Sequence, residues 1–260
     1  MGFLTDVVAR VRRDLLERPL NEGTLLLRTR ALPPPRDLEG ALRGPGMSLI
    51  AEVKRASPSA GAIADTAPAS QATRYGAGGA SAISVLTESR HFDGSLVDLR
   101  AVRRSTPLPI LRKDFIVHPS QVIESRAEGA DAILLIAAAL TDSELHELRG
   151  MAEELGMTAL VEAHGREDLA RAVESGASVV GVNARDMETL DVDFERALEL
   201  VPDVPGDRVI VVESGISSRR QVAQAERAGA DAVLVGEALM RAASPEITIR
   251  RLLGTLAVAD

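Results

Sequence analysis

Leu49-Ile50-Ala51-Glu52-Val53-Lys54 is an apolar run ending in two opposite charges two positions apart, and Ala56-Ser57-Pro58-Ser59-Ala60-Gly61 follows almost at once. Strand side chains alternate faces, so Ile50, Glu52 and Lys54 share one side while Ala51 and Val53 share the other. A carboxylate and an ammonium thus stand together at the mouth of a core. Charges rarely occupy a buried face unless they are paired or have a task, and a loop bearing Ser and Gly directly after them can close over a ligand. On this segment alone an ordinary buried ion pair is an equal competitor.

Outward from this run the pattern repeats. Short Val/Ile/Leu/Ala runs begin near Ser48, Ser81, Leu108, Ala132, Met157, Val179, Arg208 and Ala232, 22 to 33 residues apart. Each interval holds one buried strand, one helix and two short loops, and apolar strands alternating with helices indicate a parallel sheet covered by helices. Eight units predict an α/β fold, a (β/α)8 barrel, as a single domain over residues 1–260. Gly79, Gly129, Gly176 and Gly229 each end a helical pattern just before a strand, where a left-handed C-cap suits a residue without a Cβ. Residues 1–46 precede the first strand. Phe3, Leu4, Val7, Val8, Val11 and Leu15 recur there at helical spacing, which predicts an extra helix docked on the barrel.

Composition narrows the function. The chain of 260 residues carries a formal charge of −8, which opposes a general nucleic-acid or anionic-membrane surface. A small anionic ligand remains compatible, since a few cations and helix N-termini in one cleft suffice. There is no cysteine, hence no disulfide, thiolate zinc site or cysteine nucleophile. Charges at Asp6, Arg10, Arg12, Arg13 and Asp14 do not read as a signal peptide, and the longest apolar run, Ala132 to Leu140, is far short of a membrane span. The expectation is a cytoplasmic, monomeric protein with no membrane or nucleic-acid partner.

In such barrels chemistry collects at the C-terminal strand ends. Those ends carry Glu52 and Lys54, then Arg112-Lys113-Asp114-Phe115, Glu162, Asn183-Ala184-Arg185-Asp186, Glu213-Ser214-Gly215 and Gly236-Glu237. Leu160 and Glu162, Gly181 and Asn183, and Val211 and Glu213 lie two apart and share the inward face. Two lysines and three glutamates converging on one mouth are hard to explain as solvation. Ser214-Gly215 and Gly236 close strands seven and eight, where barrels commonly bind phosphate. His91, His118, His146 and His164 show no metal-ligand spacing, so no metal is expected. His146 and His164 read as surface residues and His91 as a solvated loop residue.

These residues resemble the indole-3-glycerol phosphate synthase family. The resemblance is carried by Ile50 to Ser59, Ile83 to Glu88, His91 to Leu96, Leu111 to Val117, Val161-Glu162, Gly181 to Asp186, Glu213 to Ile216 and Leu234 to Met240, and it spans about residues 3 to 255. It implies a cofactor-free carboxy-lyase that closes, decarboxylates and dehydrates a phosphorylated, anthranilate-derived substrate, 1-(2-carboxyphenylamino)-1-deoxyribulose 5-phosphate. By resemblance Lys113 is the condensation acid, Lys54 the dehydration acid and a phosphate contact, Glu52 the base, and Glu162 the partner that positions Lys113. Coupled groups at one mouth can exchange such roles. The resemblance also puts Asn183 and Glu213 in the catalytic set, with Asn183 and Arg185 near the anthranilate end and Glu213 at the substrate hydroxyls. It assigns Ser214, Gly215, Gly236 and Glu237 to the phosphate, and Ser57, Pro58, Phe92, Phe115 and Leu134 to the substrate wall.

The chain departs from the family pattern at Ala60, where many members carry a basic residue, and near Ser120 and Ile123, where an aromatic is common. Three rivals stand beside the synthase reading. A phosphoribosylanthranilate isomerase resembles it in ligand but works with a cysteine, absent here. A Schiff-base aldolase would use Lys54 or Lys113, and a non-catalytic phosphate-binding paralogue would not need every acid and base retained.

Overall fold

The protein is described by a computed structural model over residues 2–64 and 66–256. Eight parallel strands close into a barrel: β1 (Ser48–Val53), β2 (Ala82–Leu86), β3 (Ile110–Lys113), β4 (Ala132–Ile136), β5 (Thr158–Ala163), β6 (Val179–Asn183), β7 (Val209–Glu213) and β8 (Ala232–Val235). Each strand pairs with its sequence neighbours, and β1 pairs with β8 from Ser48↔Ala232 to Ala51↔Val235. A helix follows each strand, so every crossover returns the chain to the bottom of the barrel. The predicted strand starts all fall within about two residues of these bounds.

Alternation divides the apolar residues into two cores. Leu49, Ala51, Ile83, Val85, Ile133, Val161, Val212 and Val233 face outward onto the helices. Ile50, Ala82, Leu111, Ala132, Leu134, Leu160, Val179, Val209, Val211, Ala232 and Leu234 fill the interior. The interior is therefore a packed, mostly apolar plug with its charged layer at the top. Arg112 has the outward parity and is buried against Asp114 (3.0 Å) and Glu124 (2.9 Å), where it ties β3 to helix Pro119–Ala127.

Sequence-repeated features at the bottom have a common task. Gly79, Gly129, Gly176 and Gly229 all adopt positive φ where their helices end. In the Gly-Ala-Asp echoes, Asp131 Oδ2 accepts the Ile110 N–H and Asp231 Oδ2 the Ile210 N–H, so each fixes the start of the preceding strand.

The segment before β1 forms three helices where the sequence predicts one. Helix Phe3–Glu17 lies at the mouth, donating from the Leu4 N–H to the Met187 carbonyl and from Arg10 to Glu88 (2.7 Å). Helix Glu22–Arg30 packs Leu25 against Ile123 and Ala127. Helix Leu38–Leu42 buries Leu38 and Leu42 completely in the interior cluster with Ala82, Ala132, Val179, Val209 and Ala232, the inward residues at the strand starts. This short helix closes the barrel floor.

Candidate active site

A cavity of about 460 Å³ opens at the C-terminal ends of the strands. Every residue singled out above for catalysis, substrate or phosphate lines it: Glu52, Lys54, Ser57, Pro58, Phe92, Lys113, Phe115, Leu134, Glu162, Asn183, Arg185, Glu213, Ser214, Gly215, Gly236 and Glu237.

Two charge clusters occupy its floor. Lys113 Nζ lies 2.6 Å from Glu162 Oε2 and 2.9 Å from Glu213 Oε2, and both carboxylates are buried. Burial alone would pull the ammonium pKa down, but the carboxylates of Glu162, Glu213 and Glu52 reverse that and hold it above the usual lysine range. Across the floor Lys54 Nζ sits 3.0 Å from Glu52 Oε1.

The two acids around Lys113 are driven apart. Burial opposes ionisation of Glu162, yet Lys113 and His164 hold it well below the ordinary carboxylate range. Burial raises Glu213, Lys113 opposes that and the Glu162 charge adds to it, with a net rise to about 8. Glu213 lies close to Lys113 without a well-aligned hydrogen bond, so both of its buried oxygens lack a hydrogen-bond partner among the described residues. Two orphaned acceptors at the floor of a cavity are suited to ligand hydroxyls.

Backbone contacts aim the remaining groups. Tyr75, the one tyrosine, donates from behind β1 to the Glu52 carbonyl at 3.1 Å and is fully buried. Asn183 Oδ1 accepts the Arg185 N–H at 2.9 Å, which fixes the side chain at the cavity wall. Arg185 Nη1 donates to the Leu190 carbonyl at 2.7 Å and so braces the loop after β6.

Ser214 and Gly215 both take positive φ, +68° and +72°, in the turn after β7. A non-glycine residue there is uncommon, and such turns often belong to ligand sites. Gly236 precedes helix Glu237–Met240, in which the Leu239 and Met240 N–H groups donate to the Gly236 carbonyl while those of Glu237 and Ala238 have no intrahelical acceptor. The Glu237 carboxylate instead accepts from Arg241 Nε at 3.0 Å, so its position can serve an anion through the backbone and not through the side chain.

Phe92 and Phe115 stand with ring centroids 6.4 Å apart. Phe3 approaches Phe115 edge-on at 6.2 Å and completes an apolar wall. The sequence places Phe3 in a docking helix, and only the fold brings that helix to the mouth. Three of the chain's four phenylalanines thus line one cavity. The loop from Ala56 to Ala62 forms a minimal hairpin, Ser57↔Gly61, that presents Ser57, Pro58 and Ser59 to the site.

Two histidine readings are corrected. His164 is not a surface residue: its Nε2 lies 3.1 Å from Glu162 Oε1, and its side chain is largely buried. His91 is not simply solvated: its Nε2 meets Arg10 Nη1 at 2.9 Å, and its ring contacts Phe3 at 5.0 Å. Among the described residues no cluster of three or more His, Asp or Glu could hold a metal ion, and no helix is long and apolar enough to cross a membrane.

Comparison with known proteins gives one answer. A family model described as indole-3-glycerol phosphate synthase matches residues 4–252. An indole-3-glycerol phosphate synthase from Nocardioides sp. is 53% identical over 259 residues, covering 98% of this chain and 99% of its own. The Micrococcus luteus enzyme of that name is 50% identical over 258 residues, with 96% of each chain covered. Among solved structures, a 3-hexulose-6-phosphate synthase superposes with a TM-score of 0.65 at 19% identity, over 81% of this chain and all of its own, which speaks to the barrel alone. The barrel, the family match and the near-full-length relatives together establish that the chain belongs to the indole-3-glycerol phosphate synthase family, carboxy-lyases of tryptophan biosynthesis.

Proposed function

We propose that this enzyme converts 1-(2-carboxyphenylamino)-1-deoxyribulose 5-phosphate into indole-3-glycerol phosphate, carbon dioxide and water, by general acid–base catalysis from lysine and glutamate. The observation that carries the reading is Lys113 Nζ held between Glu162 (2.6 Å) and Glu213 (2.9 Å) on the cavity floor. Ring closure needs an acid at the ketone oxygen while the aromatic carbon attacks. The Lys113 ammonium, kept protonated by its carboxylate neighbours until the step, stabilises the negative charge as it develops on the ketone oxygen and passes its proton there, leaving a neutral amine that is reprotonated before the next turnover. Loss of carboxylate then restores the aromatic ring. Water leaves with a proton from Lys54, while Glu52 beside it takes a proton from carbon.

The wall of Phe3, Phe92, Phe115 and Leu134 receives the anthranilate ring, with Asn183 and Arg185 at its carboxylate. Glu213, with its unpartnered oxygens, takes the sugar hydroxyls. The turns at Ser214-Gly215 and Gly236 together with Lys54 take the phosphate. A Schiff-base aldolase fits less well, because such a lysine must be readily deprotonated and the carboxylates around Lys113 oppose that.

Indole fluorescence on adding the substrate tests the reaction, and well-folded protein that yields no product would refute it. Lys113→Met is expected to lower kcat by about 10²- to 10⁴-fold, the usual scale for removing a general acid, while a phosphate-bearing product analogue still binds within a few fold. Near-normal turnover in that variant would place the acid elsewhere.

A further inference from the structure

Glu162 has a basic nitrogen near each oxygen. Oε2 faces Lys113 in the substrate cavity at 2.6 Å, and Oε1 faces His164 Nε2 on the opposite side at 3.1 Å. His164 stands two residues further along the same strand direction, just past the end of β5, so parity returns it to the face that carries Glu162. Its ring borders a second cavity of about 270 Å³, which it shares with Asn183, Asp186, Asp193 and Arg196. Asn183 lines both cavities and stands between them.

We propose that His164 is a positioning residue for this reaction, an imidazolium that keeps Glu162 anionic and turned toward Lys113. The proposal rests on the role given to Lys113 and Glu162 above.

The surroundings favour the charged ring. Glu162 faces it from its own strand, and Asp168 Oδ2 from helix Arg166–Glu174 lies 3.8 Å from Nδ1 while accepting the His164 backbone N–H. Asp186 approaches from the loop after β6. The cations nearby are Arg171, 3.9 Å from Asp168, and Arg196 across the small cavity. Burial opposes protonation, but Asp168 and Glu162 outweigh it and raise the ring pKa to about 9. Oε1 and Nε2 face each other without an aligned hydrogen bond, so the ring acts on Oε1 through its charge; with that charge removed, the buried Oε1 side would have no counterion and Glu162 would relieve that by taking a proton. A protonated Glu162 no longer aligns Lys113 by charge. The ring also borders a space outside the substrate cavity, so it can exchange protons without the mouth opening.

The test compares pH profiles of kcat and KM for the full chain, His164→Ala and His164→Gln, together with ¹⁵N NMR of the His164 ring in the unaltered protein and in Glu162→Gln. His164→Ala is expected to lower kcat about tenfold with KM within about threefold, and to move the acid limb of kcat up by about one pH unit. His164→Gln, which can donate to Oε1 without a charge, recovers part of kcat but not the acid limb. The ring is expected to be an imidazolium at pH 8 in the unaltered protein and neutral in Glu162→Gln. A neutral ring at pH 8, or a folded His164→Gln protein with unchanged kcat and acid limb, would overturn the proposal. The NMR arm stands even where His164→Ala does not fold. Turnover surviving in Lys113→Met would refute the acid–base reading itself, whereas an inactive Lys113→Met beside an unaffected His164→Gln would refute this inference alone.

Discussion

A Cβ placed on Gly236 would overlap Glu52 Oε1, and one on Gly181 would overlap Glu213 Oε1 while pressing on Leu160. Neither glycine has positive φ, so space and not backbone freedom is what each supplies. Gly236→Ala is expected to push Glu52 away from Lys54, lowering kcat by about tenfold or more while leaving the melting temperature within a few degrees. A fully active Gly236→Ala protein would show that Glu52 has another place to stand. Position along the chain was legible for this site, because β-strand parity alone collects Glu52, Glu162, Asn183 and Glu213 on one face. Proximity across the barrel was not. Gly236 reads in sequence as a phosphate turn, and its contact with Glu52 depends on the β1–β8 seam. His164 reads as a loop residue because the inward turn that brings it to Glu162 lies beyond the strand's last periodic position.

At the level of elements, the strands were visible because each is a short apolar run with a turn signal before it, and most end at a charged or polar residue. The segment before the barrel was only partly visible. Helix Phe3–Glu17 has a stripe at Phe3, Leu4, Val7, Val8 and Val11 that follows helical periodicity and packs inward as expected. Helix Glu22–Arg30 presents a consecutive Leu25-Leu26-Leu27 run, which has no helical period, and Leu27 is exposed. Helix Leu38–Leu42 is five residues long, too short for any periodicity to register, yet it seals the barrel floor. Leu42→Ala is expected to cost about 2–5 kcal/mol in stability, measurable by denaturant unfolding, with kcat per folded molecule unchanged because the active layer lies at the opposite end. A large fall in kcat without loss of stability would mean that floor and mouth are coupled. The Arg10–Glu88 and Arg10–His91 contacts give the first helix a different task, latching the Phe3 side chain to the loop after β2.

Taken as a whole, the molecule carries its ionisation strain in the same layer as its chemistry. Glu213 is raised from 4.5 to about 8 on folding, so the stability it lends is complete below pH 4.5 and is lost as pH rises through 8. His164 is raised from 6.5 to about 9, so its share is complete below pH 6.5 and is lost through 9. Both losses overlap between pH 6.5 and 8, where stability should fall most steeply on the alkaline side. Glu162 and Asp168 are lowered, so their contribution is present above the ordinary carboxylate range and disappears in acid. Thermal unfolding of Glu213→Gln across pH 6 to 10 is expected to show a shallower alkaline decline than the unaltered protein. An identical slope would remove Glu213 from this account. The closed order of strands distributes these charges in a particular way. Lys54, just past β1, and Lys113, at the end of β3, lie in the first half of the chain, while Glu162 and Glu213 belong to β5 and β7, in the second. Neither half alone is electrically at rest. One would hold Lys113 without Glu162 and Glu213, and the other those two buried acids without their lysine, so the reacting groups act as a clasp between two half-barrels.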